Sequence, residues 1–215
     1  ARELQAAMDQ LESTIAVLDK VDATADEKSQ LEEVNKQLVE NRLLAIQYLQ
    51  RGLSLVELAS DLELVNQSRQ YLAFLLFKSK HYRDATVVGL FLARNAPGSE
   101  AGLSGGLVAL NALQLLLVED SGNNAASGQL ASLADFMLKY WPDNSKAALA
   151  QGVIIKIALR EGKWDEAQTR ISAMPEGEER GSFMRLLGVL LWNEYIKARS
   201  AGDDAKAQEY LEKAR

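Results

Sequence analysis

The sequence predicts an all-α fold made of stacked helical hairpins, and three observations carry that prediction. The first is that Asn66–Pro97 reads as one αα-hairpin. Tyr71, Phe74, Leu75 and Phe77 form the apolar side of its first helix, and Lys78-Ser79-Lys80-His81 interrupts it. Tyr82, Ala85, Val88, Leu92 and Ala93 then recur at three-to-four spacing until Pro97, whose missing N–H cannot extend a helix. The second is that the turn comes back. Lys80-His81-Tyr82-Arg83-Asp84-Ala85 returns as Gly162-Lys163-Trp164-Asp165-Glu166-Ala167, and more faintly as Gly202-Asp203-Asp204-Ala205-Lys206-Ala207. The third is that all three prolines, Pro97, Pro142 and Pro175, fall at the ends of such units. Self-similarity at a period of tens of residues points to supersecondary units stacked on their neighbours, not to one closed core.

Taken in order, Leu4, Met8, Leu11, Ile15 and Leu18 alternate spacings of four and three between Arg2 and Lys20, a narrow heptad seam. Residues Val21–Asp26 break it, and Thr24 to Glu27 has the form of a capping box that starts a second helix. That helix carries Leu31, Val34, Leu38, Leu44, Ala45 and Tyr48 to about Gln50, with Gly52 as a break. Residues 1–52 are therefore expected to be an N-terminal pair of amphipathic helices. Two forms fit that pattern: an atypical repeat capping the array, or a coiled-coil arm that packs on another copy of the chain. Residues 53–215 are expected to hold the repeats. Leu55, Val56, Leu58, Ala59, Leu62 and Val65 predict a helix over Leu53–Val65. The stretch Ser99–Leu113 overlays Ser145–Leu159, sharing a serine, the glycines Gly106 and Gly152, and an Ala-Leu end; Leu187–Leu191 is a fainter copy. The helix from Ser99 is expected to reach Glu119, followed by a polar insert, Asp120–Gly128, with helix resuming near Gln129. A long helix over Phe183–Arg199 and a short one after Gly202 complete the chain.

These residues resemble the tetratricopeptide repeat (TPR). In that family a small residue sits midway along helix A, an aromatic and an alanine open helix B, and a proline closes the unit. The small residues here are Ala73, Gly106, Gly152 and Gly188, the aromatics Tyr82 and Trp164, and the alanines Ala85, Ala167 and Ala207. The resemblance covers Asn66 to Arg215 and implies a right-handed αα-hairpin solenoid whose concave face, made by the A helices, binds a peptide, a helix or a partner protein. The position after each small residue holds Phe74, Leu107, Val153 and Val189. None is asparagine, which disfavours the family's carboxylate-binding subtype.

Composition narrows the function classes. With 215 residues, 47% hydrophobic and 25% charged, the chain has ordinary globular composition. A formal net charge of −6 and the lack of a Lys/Arg cluster argue against a nucleic-acid partner. Cysteine is absent, so there is no disulfide framework or thiolate metal site, and a soluble chain in either bacterial cytoplasm or periplasm fits. The most apolar run, Leu103–Val118, is shorter than a membrane span needs and reads as a buried helix. The chain opens on Ala1 without Met and closes inside a helical pattern at Arg215, as one would after removal of a leader or anchor.

Candidate chemistry is sparse. His81 is the single histidine and lies in a turn, so no other residue could serve as the base of a Ser/His/Asp relay, and a two-His zinc site cannot be assembled from one chain. Gly102-Leu103-Ser104-Gly105-Gly106 lacks the Lys-Ser/Thr of a phosphate loop and sits in a helical pattern. The leading expectation is a non-catalytic interaction module, with no cofactor, no metal and a protein or peptide partner. The alternative is an enzyme or enzyme accessory subunit using the Asp120–Gly128 insert as its site. In the repeat register the groove-facing residues of successive A helices are Phe74 and Phe77, then Leu103 and Leu107, then Val153, then Val189 and Trp192. A polar fringe of Gln70, Lys78, Asn111, Lys156 and Arg185 surrounds them. The Leu4–Leu18 stripe is one candidate cover for such a groove.

Overall fold

The computed structural model describes residues 2–20, 24–57, 61–120, 122–147 and 149–214, and among these it is all-α, with ten helices and no strand. They are α1 (Arg2–Leu18), α2 (Ala25–Leu53), α3 (Leu62–Lys78), α4 (Tyr82–Asn95), α5 (Glu100–Glu119), α6 (Asn124–Tyr140), α7 (Leu149–Arg160), α8 (Trp164–Ser172), α9 (Glu178–Ser200) and α10 (Asp204–Lys213). The chain divides into two compact units, Ala1–Ala126 and Ser127–Arg215.

The first unit opens with the expected capping box. The Thr24 hydroxyl accepts from the Glu27 N–H at 3.3 Å, and the Thr24 N–H donates to the Glu27 carboxylate at 2.8 Å. That backbone bond, and then the Thr24 hydroxyl donating to the same carboxylate at 2.8 Å, hold the Glu27 carboxyl below its ordinary range. Arg42 meets Glu12 at 2.6 Å and ties α2 to α1. Leu4, Met8, Leu11 and Ile15 of the heptad seam turn onto a core made with Leu38, Ala45, Ile46 and Leu49 of α2, and with Leu72, Leu75, Leu76, Ala85 and Ala112. The N-terminal pair thus shares one core with α3, α4 and α5.

Between α2 and α3 the structure corrects the predicted helix over Leu53–Val65. α2 runs through Gly52 and closes on Ser54, residues 55–57 are not helical, and Leu58 and Ala59 lie outside the described residues. A new helix starts because the Asp61 side chain accepts from the N–H groups of Glu63 (2.9 Å) and Leu64 (3.3 Å), a strong local cap. Leu55 is 73% exposed, so no burial rewards continuing the earlier helix. Further on, α4 and α5 cross closely. A Cβ added at Gly105 would lie 2.6 Å from the Leu92 Cβ, and one added at Gly89 only 2.5 Å from the Gly105 carbonyl oxygen. Gly105 is placed at that crossing.

In the second unit α7 begins at Leu149, later than the predicted Ser145, because the Asn144 side chain accepts from the Lys146 N–H at 2.9 Å and holds a turn there. α9 begins at Glu178, earlier than predicted, and buries Phe183, Leu187, Leu191 and Ala198. Phe183, Leu187 and Leu191 form a core with Ile155, Ala158, Leu159, Ala167, Ile171 and Met174. A Cβ added at Gly152 would lie 3.3 Å from the Phe183 ring, whereas one added at Gly188 would have nothing within 4 Å.

The three recurring turns share one backbone geometry. Lys80, Gly162 and Gly202 have φ of 61°, 70° and 76°. The N–H one residue later donates back to the helix in each case: His81 to Leu76 O (2.9 Å), Lys163 to Ala158 O (2.9 Å) and Asp203 to Ala198 O (3.0 Å). The left-handed residue itself donates to Phe77 O, Leu159 O and Arg199 O respectively. These paired bonds satisfy the last carbonyls of the preceding helix. The following helix then opens identically, with Ala85, Ala167 and Ala207 donating to His81, Lys163 and Asp203. All three alanines are buried.

Candidate partner-binding clefts

A common turn geometry gives the three preceding helices a common register. Counting thirteen, ten and six residues back from the left-handed residue gives Gln67, Gln70 and Phe74 on α3, Leu149, Gly152 and Lys156 on α7, and Val189, Trp192 and Ile196 on α9. These positions lie along one side of each helix. On α3 they open onto solvent through a cleft shared with α5. One cavity of about 500 Å³ is lined by Gln67, Gln70, Tyr71, Phe74, Ser104, Leu107 and Val108. A second, of about 800 Å³, adjoins it through the same two glutamines and runs past Asn66, Glu63, Asn95 and Glu100. The cleft therefore grades from an apolar end at Phe74 and Leu107 to an amide-rich end.

Tyr71 sits at the apolar end. Its hydroxyl is buried without a hydrogen-bond partner. Burial first, and then the carboxylates of Asp9 and Glu12, push its pKa up to about 12 against the opposing pull of Arg42. The Lys78 ammonium stands 5.5 Å from the Phe74 ring centroid and 3.9 Å from Glu12.

The second unit has its own cleft, a cavity of about 660 Å³ between the end of α7, the start of α8, the middle of α9 and Tyr210 of α10. Lys156 and Arg160 stand on one wall, Leu186, Leu190 and Glu194 on another, and Leu159 and the Trp164 ring lie between.

Of the residues expected to face a groove, the structure brings Gln70, Phe74 and Leu107 together in the first unit, and places Lys156 in the cleft of the second. Leu103 and Val153 are buried in the core. Phe77 packs into the core with its ring 5.7 Å from Tyr82. Asn111 is exposed and donates to Leu107 O. Val189 and Trp192 are exposed on α9, Trp192 stacking 5.0 Å from Tyr195, and Arg185 is exposed nearby. Residues of α1 line neither of the two α3/α5 cavities, since the Leu4–Leu18 stripe is spent on the core. Gln67, Tyr71 and Arg160 were missed by sequence reasoning. The register counted from the small residues does not mark them.

The Asp120–Gly128 insert is corrected as well. α6 begins at Asn124, so most of the segment is helix; Asn123 accepts from the Ala126 N–H at 3.0 Å as its cap, and Asp120 accepts from the Gly122 N–H. Ser121 lies outside the described residues. The polarity of Asp120, Asn123 and Asn124 is that of a helix N-terminus, where side-chain acceptors satisfy free N–H groups. His81 is exposed, 3.9 Å from Asp84. Among the described residues no group of three or more His, Asp or Glu is placed to hold a metal. One described helix, α5, is long and apolar enough by length and composition to cross a membrane, and 50% of that stretch is buried within the fold. Comparison of the chain with protein-family models, with curated proteins and with solved structures finds no match.

Proposed function

We propose that this chain is a non-catalytic interaction module of the TPR-like class, a right-handed repeat of helical hairpins that holds a peptide, a helix or a partner protein on the face made by its A helices. The observation that carries the reading is the α3/α5 cleft, whose lining holds the expected groove residues Gln70, Phe74 and Leu107 together. Three turns with one hydrogen-bond pattern support the repeat class. An open cleft with an apolar floor and primary amides along its length suits a peptide backbone, since each amide can donate and accept at once.

Site-specific photo-crosslinking tests this. Benzoylphenylalanine at position 74 is expected to capture a discrete partner in extracts of the source cells. The same group at Val87, more exposed on α4 but away from the cleft, is expected to capture none. Indiscriminate capture at both positions, or none at 74, overturns the assignment.

A further inference from the structure

The cleft of the second unit has a charge pattern that specifies its ligand more narrowly. Lys156 and Arg160 are one turn apart on α7, so their heads emerge on the same side. Among the described residues Lys156 makes no ion pair. The Arg160 guanidinium donates to the Ser127 hydroxyl at 2.6 Å, a neutral partner that leaves its charge uncompensated. The two carboxylates in the lining are already matched, Glu161 by Lys163 at 2.8 Å and Glu194 by Lys197. A chain with a formal net charge of −6 thus presents a cleft with two uncompensated cations above Leu159, Trp164, Leu190 and Tyr210.

Resting on the interaction-module reading, we infer that the α7/α9 cleft takes an acidic peptide segment carrying a large apolar side chain. A carboxylate sits against Lys156 and Arg160, which the fork of the guanidinium suits, and the apolar side chain lies on the Trp164 ring and the leucines. Two cations are enough for a carboxylate and too few for a nucleic-acid backbone, whose affinity comes from neutralising many phosphates.

The test is a titration of the full chain with three acetylated, amidated decapeptides: one alternating Asp with Leu and Phe, its twin with Lys for Asp, and its twin with Ser for Leu and Phe. Calorimetry gives the affinity, and the Trp164 indole N–H resonance reports the place. The expected result is that only the acidic, apolar peptide binds and shifts Trp164. Lys156→Glu should weaken it about tenfold, the worth of one reversed charge in a half-solvated cleft, and Lys156→Ser should weaken it less. Both changes are on an exposed side chain. The inference falls if the Lys-bearing twin binds as well, if the acidic peptide shifts no Trp164 resonance, or if Lys156→Glu binds undiminished. Binding of the Lys-bearing twin at Trp164 would overturn the acidic class while leaving the interaction module standing. Failure of the crosslinks at position 74 would strike that module reading without changing this titration.

Discussion

Gly202→Ala, measured beside Lys80→Gly, tests the shared turn on which the register rests. Gly202 has φ of 76° and nothing within 4 Å of a built Cβ, so alanine there meets no steric obstacle and its cost is purely conformational. Holding an L-residue in the left-handed region costs about 1–2 kcal/mol. Alanine's smaller unfolded-state entropy offsets about 0.4–1 kcal/mol of that. The net expectation is a loss of about 1 kcal/mol, or roughly 4–8 °C in the melting point of a unit this size. Lys80 already occupies the same conformation with a side chain, at φ 61°, so Lys80→Gly reverses the sign and should stabilise the first unit by about 1 kcal/mol. Gly188 supplies the control. It lies inside α9 with nothing near its Cβ, and Gly188→Ala should stabilise by about 0.5–1 kcal/mol. Urea and thermal unfolding followed by circular dichroism give the magnitudes, and amide hydrogen exchange assigns each change to its unit. The reasoning is refuted if Gly202→Ala and Lys80→Gly shift stability in the same direction, or if both stay within about 0.5 kcal/mol of the parent, the scatter of an ordinary surface substitution.

Two further changes probe the first unit. Gly105→Ala puts a Cβ 2.6 Å from the Leu92 Cβ and 3.0 Å from the Gly89 carbonyl oxygen, so α4 and α5 must separate, at a cost of about 1–3 kcal/mol; an unchanged urea midpoint would mean the helices do not cross so closely. Tyr71→Phe removes a buried hydroxyl that has no partner and should stabilise by about 1 kcal/mol at neutral pH. Because the Tyr71 pKa is raised to about 12, the folded chain binds more protons than the unfolded one above the ordinary tyrosine value near 10, so stability should fall as pH rises through that window. Tyr71→Phe should flatten that fall, and an equally steep alkaline loss in the variant would assign it to other groups.

Much of the secondary structure was legible because its signals are short. A capping box at Thr24, a serine cap at Ser99, a left-handed residue before a new helix and prolines after the old one each act over a few residues, and the backbone follows them. The same locality explains the misses: Asp61 and Asn144 are caps and turns of equal strength that apolar periodicity passes over. The side of each helix that faces the core was decided by tertiary packing. α5 and α9 carry apolar residues all around, so periodicity alone does not select a face, and each residue of register error rotates the choice by about 100°. That is why, on α5, Leu103 is core while Leu107 lines a cleft. Sequence by itself determined that the chain is helical and where its three recurring turns fall, because capping and turn energies are local. Only the tertiary structure decided which residues are left facing a partner, because that depends on what each helix finds to bury against.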